Sequence, residues 1–213
     1  MKRMLTIYQV RLHSGYKYLQ PSQAVTRRIW DGVRRTHDAA PFWGHSMTEI
    51  WPKGTWNVFA DRGVRDFGDF VGVIPSSVFG VSDSALPAFR ERYGRFGELL
   101  EINIRKRGSP HVHLFNTLNK VDALDHERSR IAGNPSRRIY GWINGVLSAD
   151  MLFRDSVRSV EVYCTSDGER GFPEFCAEHG FVGLRFHEVG TCEAAPSGEG
   201  SSVGATVSSD HSK

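Results

Sequence analysis

Between Ser76 and Val189 the chain runs twice through one order of signals: strand, Ser-Asp, helix, glycine, strand. In the first copy VFGVSD (residues 78–83) leads into ALPAFRERYG (85–94) and then ELLEINI (98–104). In the second, VEVYCTSD (160–167) leads into GFPEFCAEHG (171–180) and then GLRFHEV (183–189). The Ser-Asp pairs are expected to cap the helix starts by accepting backbone N–H groups. Pro87 and Pro173 fall early enough for their missing donors to be tolerated, and Gly94 and Gly180 suit a left-handed helix end. Two strand-helix-strand units amid further strands predict an α+β fold, with a mixed, largely antiparallel sheet and a few helices packed on it.

The remaining strands are expected near Leu5, Trp56, Val112 and Ile139, giving with the two copies eight strand positions at Leu5, Trp56, Val78, Leu99, Val112, Ile139, Val160 and Leu184. A short helix is expected around Gln23 to Arg35, started by Pro21-Ser22. Between His37 and Val73 the aromatics Phe42, Trp43, Trp51, Trp56, Phe59, Phe67 and Phe70 sit among glycines, which predicts loops folding back on the core around one strand at Trp56–Ala60. From Gly190 the chain turns to Ser, Gly and Ala with no large side chain to bury, so a disordered tail is expected from there. The organisation is therefore 1–74 as a basic, aromatic-rich part of the same globular unit, 75–189 as its core, and 190–213 as the tail.

With 213 residues, of which 39% are hydrophobic and 24% charged, the chain can build a sizeable core and is not wholly disordered. The apolar residues from Met4 to Leu12 are broken by Thr6, Gln9 and Arg11, so no export signal or membrane span is expected there, and a cytoplasmic location follows as the expectation. Cys164, Cys176 and Cys192 are odd in number and widely spaced, which disfavours a disulfide framework or a thiolate zinc site. The net charge of +3 is unevenly spread: from Met1 to His37 eight basic residues face only Asp31. Such a pole speeds capture by an acidic protein surface and attracts phosphate backbones equally.

His111 and His113, two apart on a strand, share a face, and Asp122, Asp125 and His126 follow. A small metal-dependent hydrolase or nuclease using His111, His113 and Asp122 is the enzymatic alternative. Neither HExxH, CxxC, GxSxG nor a phosphate-loop pattern supports catalysis, so no catalytic residue, metal or cofactor is assigned. In Val121-Asp122-Ala123-Leu124-Asp125 the aspartates and the nearby Asn119 are expected to fix a strand-to-loop corner through backbone N–H groups. Trp30, between Arg27-Arg28 and Arg34-Arg35, adds to the basic helix an aromatic anchor of the kind enriched at protein interfaces. No zinc finger, RNA-recognition signature or helix-turn-helix accompanies those arginines, so nucleic acid is not the expected partner.

The run FNTLNKVDALDHERS (115–129), the preceding VFGVSDSALPAFRE and the closing EFCAEHGFVGLRFHEV together resemble the bacterial polymorphic-toxin immunity family numbered eleven, first described from a myxobacterial example. The positions that carry the resemblance are Asn116, Asn119, Val121, Asp122, Ala123, Leu124, Asp125, Ser129, Gly180, Gly183 and Phe186. It covers about residues 73–189; residues 131–148 and the arginine-rich start depart from the family pattern. The resemblance implies a cytoplasmic protein that neutralises a cognate secreted toxin by direct binding. It implies no catalytic residue, and a structural role for Asn116, Asn119, Asp122, Asp125, Gly180, Gly183 and Phe186. The partner surface then falls to Arg27, Arg28, Trp30, Arg34 and Arg35, on composition alone.

Overall fold

A computed structural model describes residues 3–36, 44–52, 54–59, 64, 66–73, 78–105, 107–131, 138–156 and 160–196. The expected aromatics Phe42 and Trp43, and the end of the expected tail from residue 197, lie outside these. The fold is α+β. Its strands are β1 (Met4–Leu12), β2 (Tyr18–Pro21), β3 (Thr55–Phe59), β4 (Phe70–Val73), β5 (Phe79–Ser82), β6 (Gly97–Ile104), β7 (Val112–Thr117), β8 (Lys120–Val121), β9 (Leu124–Ile131), β10 (Arg138–Trp142), β11 (Leu152–Asp155), β12 (Tyr163–Ser166) and β13 (Leu184–Glu193). The helices are α1 (Gln23–Thr36), α2 (Leu86–Tyr93) and α3 (Phe172–Glu178), with a 3₁₀ turn at Gly94–Phe96.

Six strands close a barrel in the order β2-β3-β6-β7-β5-β4, five form a sheet in the order β13-β1-β12-β11-β8, and β9 and β10 form a two-stranded ribbon. The two copies read in the sequence have one topology. β5 and β6 both run antiparallel to β7, which lies between them. In the same way β12 and β13 both run antiparallel to β1. Each copy is thus a strand-helix-strand unit split by a third strand. The likeness extends outward: β4 pairs antiparallel with β5 and parallel with β2, as β11 pairs antiparallel with β12 and parallel with β8. Taken in chain order, β1 to β6 and β7 to β13 are two halves of one plan, and each half lends its first strand to the middle of the other's sheet.

The halves meet on an aromatic core. Phe89 and Tyr93 of α2 pack on Phe172 and Phe175 of α3, with Tyr93 and Phe172 ring centroids 4.9 Å apart. Phe70 stands edge-on to Phe79, Phe89 and Phe172 at 5.5 to 5.7 Å, the tilted arrangement that ring quadrupoles prefer. A second core fills the barrel beneath α1, around Trp56, Leu19, Val71 and Leu114. A third lies where Trp142 and Leu124 of the β9-β10 ribbon cover Leu5, Ile7, Phe153 and Tyr163 of the sheet. Asp150 is the one non-glycine among the described residues with positive φ (61°), and it is clamped across the halves by Arg92 Nε at 2.9 Å and the Tyr93 hydroxyl. Burial and that carboxylate together push the Tyr93 hydroxyl well above its ordinary pKa.

Six of the eight expected strand positions lie in strands, while Val78 and Val160 fall just before β5 (Phe79–Ser82) and β12 (Tyr163–Ser166), and several finer expectations are corrected. The Ser-Asp pairs do not cap helices: the residues preceding α2 and α3 are Ala85 and Gly171, neither with a side-chain cap. Instead Ser82 shares a hydroxyl bond with Ser84 (2.7 Å), which donates to Asp69 (2.7 Å), while Asp167 accepts the N–H groups of Glu169 (3.0 Å) and Arg170 (2.7 Å). Both pairs build the turn before the helix. Gly180 is left-handed (φ 66°), but Gly94 has φ −54° and carries the chain into the 3₁₀ turn. The chain past Val189 is not a tail at once: β13 continues to Glu193, which pairs with Met4, and Cys192 is buried against Leu5.

Two outcomes follow from these contacts. Gly183 has φ 113°, and a Cβ there would stand 1.8 Å from the Phe70 carbonyl oxygen, so Gly183→Ala must displace β4. Urea denaturation is expected to show a loss above about 2 kcal/mol, against about 1 kcal/mol for Gly108→Ala, where φ is also positive but nothing lies within 4 Å. Burial pushes the Asp167 carboxyl up, but the N–H groups of Arg170 and Glu169 and the Arg3 guanidinium outweigh it and hold the group below the usual carboxylate range. A depressed carboxyl stabilises the fold above its unfolded pKa near 4, and that contribution is lost as pH falls through the lower folded value. Asp167→Asn is therefore expected to lower Tm at pH 7, with the gap from the parent protein closing below about pH 4 in a pH series of thermal melts.

Candidate interaction surface

Helix α1 begins where the sequence places it. Ser22 takes the N-cap position: its hydroxyl accepts the Val25 N–H at 3.3 Å, and its carbonyl accepts both the N–H (2.9 Å) and the hydroxyl (3.1 Å) of Thr26. Val25, Ile29 and Val33, spaced by four, are buried against Leu19, Met47 and Trp56. Gly32 completes this face under Ile50, whose Cβ would be 3.2 Å from any Cβ added at Gly32. One side of the helix is thus fixed to the barrel core. The other side faces solvent.

On that side Arg27, Trp30, Asp31 and Arg34 recur at the three-, four- and seven-residue spacings that form one stripe, with Arg28 on its flank. All five are exposed. Trp30 is 41% exposed, a large polarisable ring left in solvent. The helix side opposite the core therefore brings together four of the five partner residues expected from sequence; the side chain of Arg35 lies outside the described residues. Three guanidinium groups against the Asp31 carboxylate leave the stripe positive.

The enzymatic alternative is not assembled in the same way. His111 precedes β7 and is exposed, His113 sits half-buried on β7 opposite Val81 and Glu101, and Asp122 follows β8 in the other sheet. Asp122 accepts the Ser156 hydroxyl at 3.2 Å. Among the described residues no three His, Cys, Asp or Glu side chains form a group that could hold a metal ion.

Of the three residues expected to fix a corner through backbone N–H groups, only Asp125 accepts them, while Asn119 donates to a carbonyl and Asp122 accepts a hydroxyl. The Asn116 amide, fully buried, donates to the His45 carbonyl and to Glu98, both at 2.8 Å. Asn119 donates to the Leu152 carbonyl at 2.9 Å, joining the end of β7 to β11. Asp125 accepts the N–H groups of Glu127 and Arg128 at 3.1 Å each and pairs with the Arg128 guanidinium. Phe186 lies edge-on to Phe172 at 5.5 Å, while Gly180 and Gly183 make the turn that returns α3 to β13.

Three polar residues that organise this region carried no signal in the sequence. Glu98 accepts Ser46 Oγ (2.8 Å), the Met47 N–H (2.6 Å) and Thr48 Oγ1 (2.6 Å), so it anchors the chain that lies against the barrel beside α1. Asp155, buried in β11, accepts the N–H groups of Ala123 (3.3 Å) and Leu124 (3.0 Å) and so holds the Val-Asp-Ala-Leu-Asp corner. Beside it the buried Arg154 donates to the carbonyls of Thr117 (3.0 Å) and Val160 (3.1 Å), and desolvation pushes its guanidinium down to about 10. Only the fold brings these partners together, since Asp155 lies 31 residues from Leu124 and Arg154 lies 37 from Thr117.

No helix among the described residues is long and apolar enough to cross a membrane. The chain matches no protein-family model, and no curated protein is significantly similar to it.

Proposed function

We propose that this protein is an immunity protein that binds and neutralises a cognate secreted bacterial toxin by direct contact, acting in the cytoplasm without chemistry of its own. The observation that carries this reading is the exposed Trp30 set among Arg27, Arg28 and Arg34 on a helix whose opposite face is anchored in the core. Trp and Arg are the side chains that most often dominate binding energy, and a rigid helix presents them with little ordering cost. A helix of 14 residues presents a face about 21 Å long. That suits it as the centre of an interface of about 1,600 Å². The positive stripe favours an acidic toxin surface and fast capture.

The test is to isolate the secreted toxin that co-purifies with the tagged protein, confirm protection of growth on co-expression, and measure the complex by surface plasmon resonance. Arg27→Glu, Arg28→Glu and Arg34→Glu together are expected to weaken binding by about a hundredfold, mainly in association rate, and Trp30→Ala by about tenfold, mainly in dissociation rate. Thermal stability is expected to stay within about 0.5 kcal/mol of the parent for each exposed change. Protection and binding that survive all four changes would remove α1 from the contact, and failure of the protein to bind or protect against that toxin would remove the immunity reading.

A further inference from the structure

The outward surface of the barrel is covered unevenly. β4, β5 and β7 carry their outward Phe70, Phe79, Val81 and Phe115 into the aromatic core against α2 and α3. The outward residues of β2, β3 and the end of β6 remain in contact with solvent: Gln20, Phe59, Asn103 and Arg105 are exposed, and Tyr18 and Asn57 are half-buried. Their strand neighbours Leu19, Trp56 and Ile102 fill the barrel core, so alternation fixes which way each residue faces.

The register sets these residues in ranks across the three strands. Tyr18 stands opposite Phe59, with the two rings stacked at 5.9 Å and 15°, and Phe59 is 40% exposed. In the next rank Gln20 stands opposite Asn57. On the other side of β3, the parallel pairing of Thr55 with Asn103 and Trp56 with Ile104 brings Arg105 level with Asn57, and the Arg105 N–H bonds the Trp56 carbonyl at 3.1 Å. An aromatic ring, two amides and a guanidinium therefore lie within about 7 Å along β3 and about 5 Å across to the next strand. Among the described residues, none hydrogen-bonds the side chains of Gln20, Asn57, Asn103 or Arg105. The chain leaves this face through Arg105-Lys106-Arg107, and the nearest carboxylate along β6, Glu101, lies at the end away from Phe59.

We propose that this face binds single-stranded nucleic acid, with a base stacked on Phe59, its edge met by Asn57 and Gln20, and the phosphates held by Arg105 and Arg107. Each of the three chemistries has its counterpart in a nucleotide. An unpaired base stacks on an aromatic ring whatever its identity. The amides present a donor and an acceptor side by side, the complement of a base edge. The guanidinium groups supply the positive charge that a phosphate backbone attracts. A neutral glycan would use the ring and the amides but leave the guanidinium groups without a counter-charge, and a duplex keeps its bases stacked on one another. The inference uses none of the α1 side chains and stands whether or not α1 binds a toxin.

Isothermal titration of the full chain with a twelve-nucleotide oligothymidylate, an oligouridylate and a DNA duplex of equal length, and maltohexaose tests this. Saturable binding of both single strands is expected, with Kd on the order of 10 μM at low salt, the duplex at least about tenfold weaker and no heat from the glucan. Phe59→Ala is expected to weaken oligothymidylate about tenfold, and Arg105→Gln about threefold with a shallower dependence on salt concentration, whereas Arg27→Glu on α1 changes it by less than about twofold. Thermal melts of the variants establish that they fold. Equal affinity for the duplex, or single-strand binding that Phe59→Ala leaves intact, would overturn the stacking site. Weakening by Arg27→Glu as large as that by Arg105→Gln would reduce the effect to net charge, and binding of maltohexaose in place of the single strands would reassign the face to glycans.

Discussion

Each half of this chain has its central strand supplied by the other. β7 stands between β5 and β6, and β1 stands between β12 and β13, so removing either half would leave the other with a gap where its sheet should be continuous. A gap of that kind exposes two rows of backbone N–H and C=O groups beside a large apolar face, which neither water nor a partial sheet satisfies well. The exchange forces the two sheets together, and the aromatic core between α2 and α3 is what they close upon. Asp150 clamps the halves together through Arg92 and Tyr93, while Asn119 to Leu152 and Arg154 to Thr117 tie the end of the exchanged β7 back to β11 of its own half. The barrel and the platform for α1 depend on this joint, because the barrel takes β7 from the second half.

How much of this was legible in the sequence follows from how many faces of each strand are buried. β1 alternates well enough to be read, and the paired signals around α2 and α3 located four more strands, β5, β6, β12 and β13. β4 (FVGV) and β11 (LFRD) escaped because all four residues of each are buried, so neither shows a period of two. In β11 the pattern is further hidden by Arg154 and Asp155, charged residues whose burial makes sense only beside carbonyls and N–H groups from distant segments. β9 reads as a charged stretch because one side of its ribbon faces water, and β8 is two residues long. The repeat itself was visible as punctuation, whereas the exchange of strands was not, since pairing between Met4 and Glu193 leaves no local trace.

For the candidate surface the legible part was the helix and its spacing. Val25, Ile29 and Val33 set one face, and the arginines with Trp30 fall on the other by arithmetic alone. What spacing could not give is the rigidity beneath: Glu98, which no motif marked, ties down residues 46–48 against the barrel next to the helix. The outward face of β2, β3 and β6 was equally hidden, because Tyr18 and Phe59, and Asn57 and Arg105, become neighbours only through the long-range register.

The exchanged strands also set the order in which the molecule can come into being. β1 leaves the ribosome long before its two neighbours, β12 and β13, which follow all the other strands in chain order. At ordinary rates of synthesis that delay is on the order of tens of seconds. Throughout it the apolar run of Leu5, Ile7 and Val10 has no sheet to join, while the barrel draws only on strands from within residues 18–117 and can close much earlier. The nascent chain is thus a finished barrel trailing an orphan strand, open to capture by a holdase or by a neighbouring copy until β13 arrives.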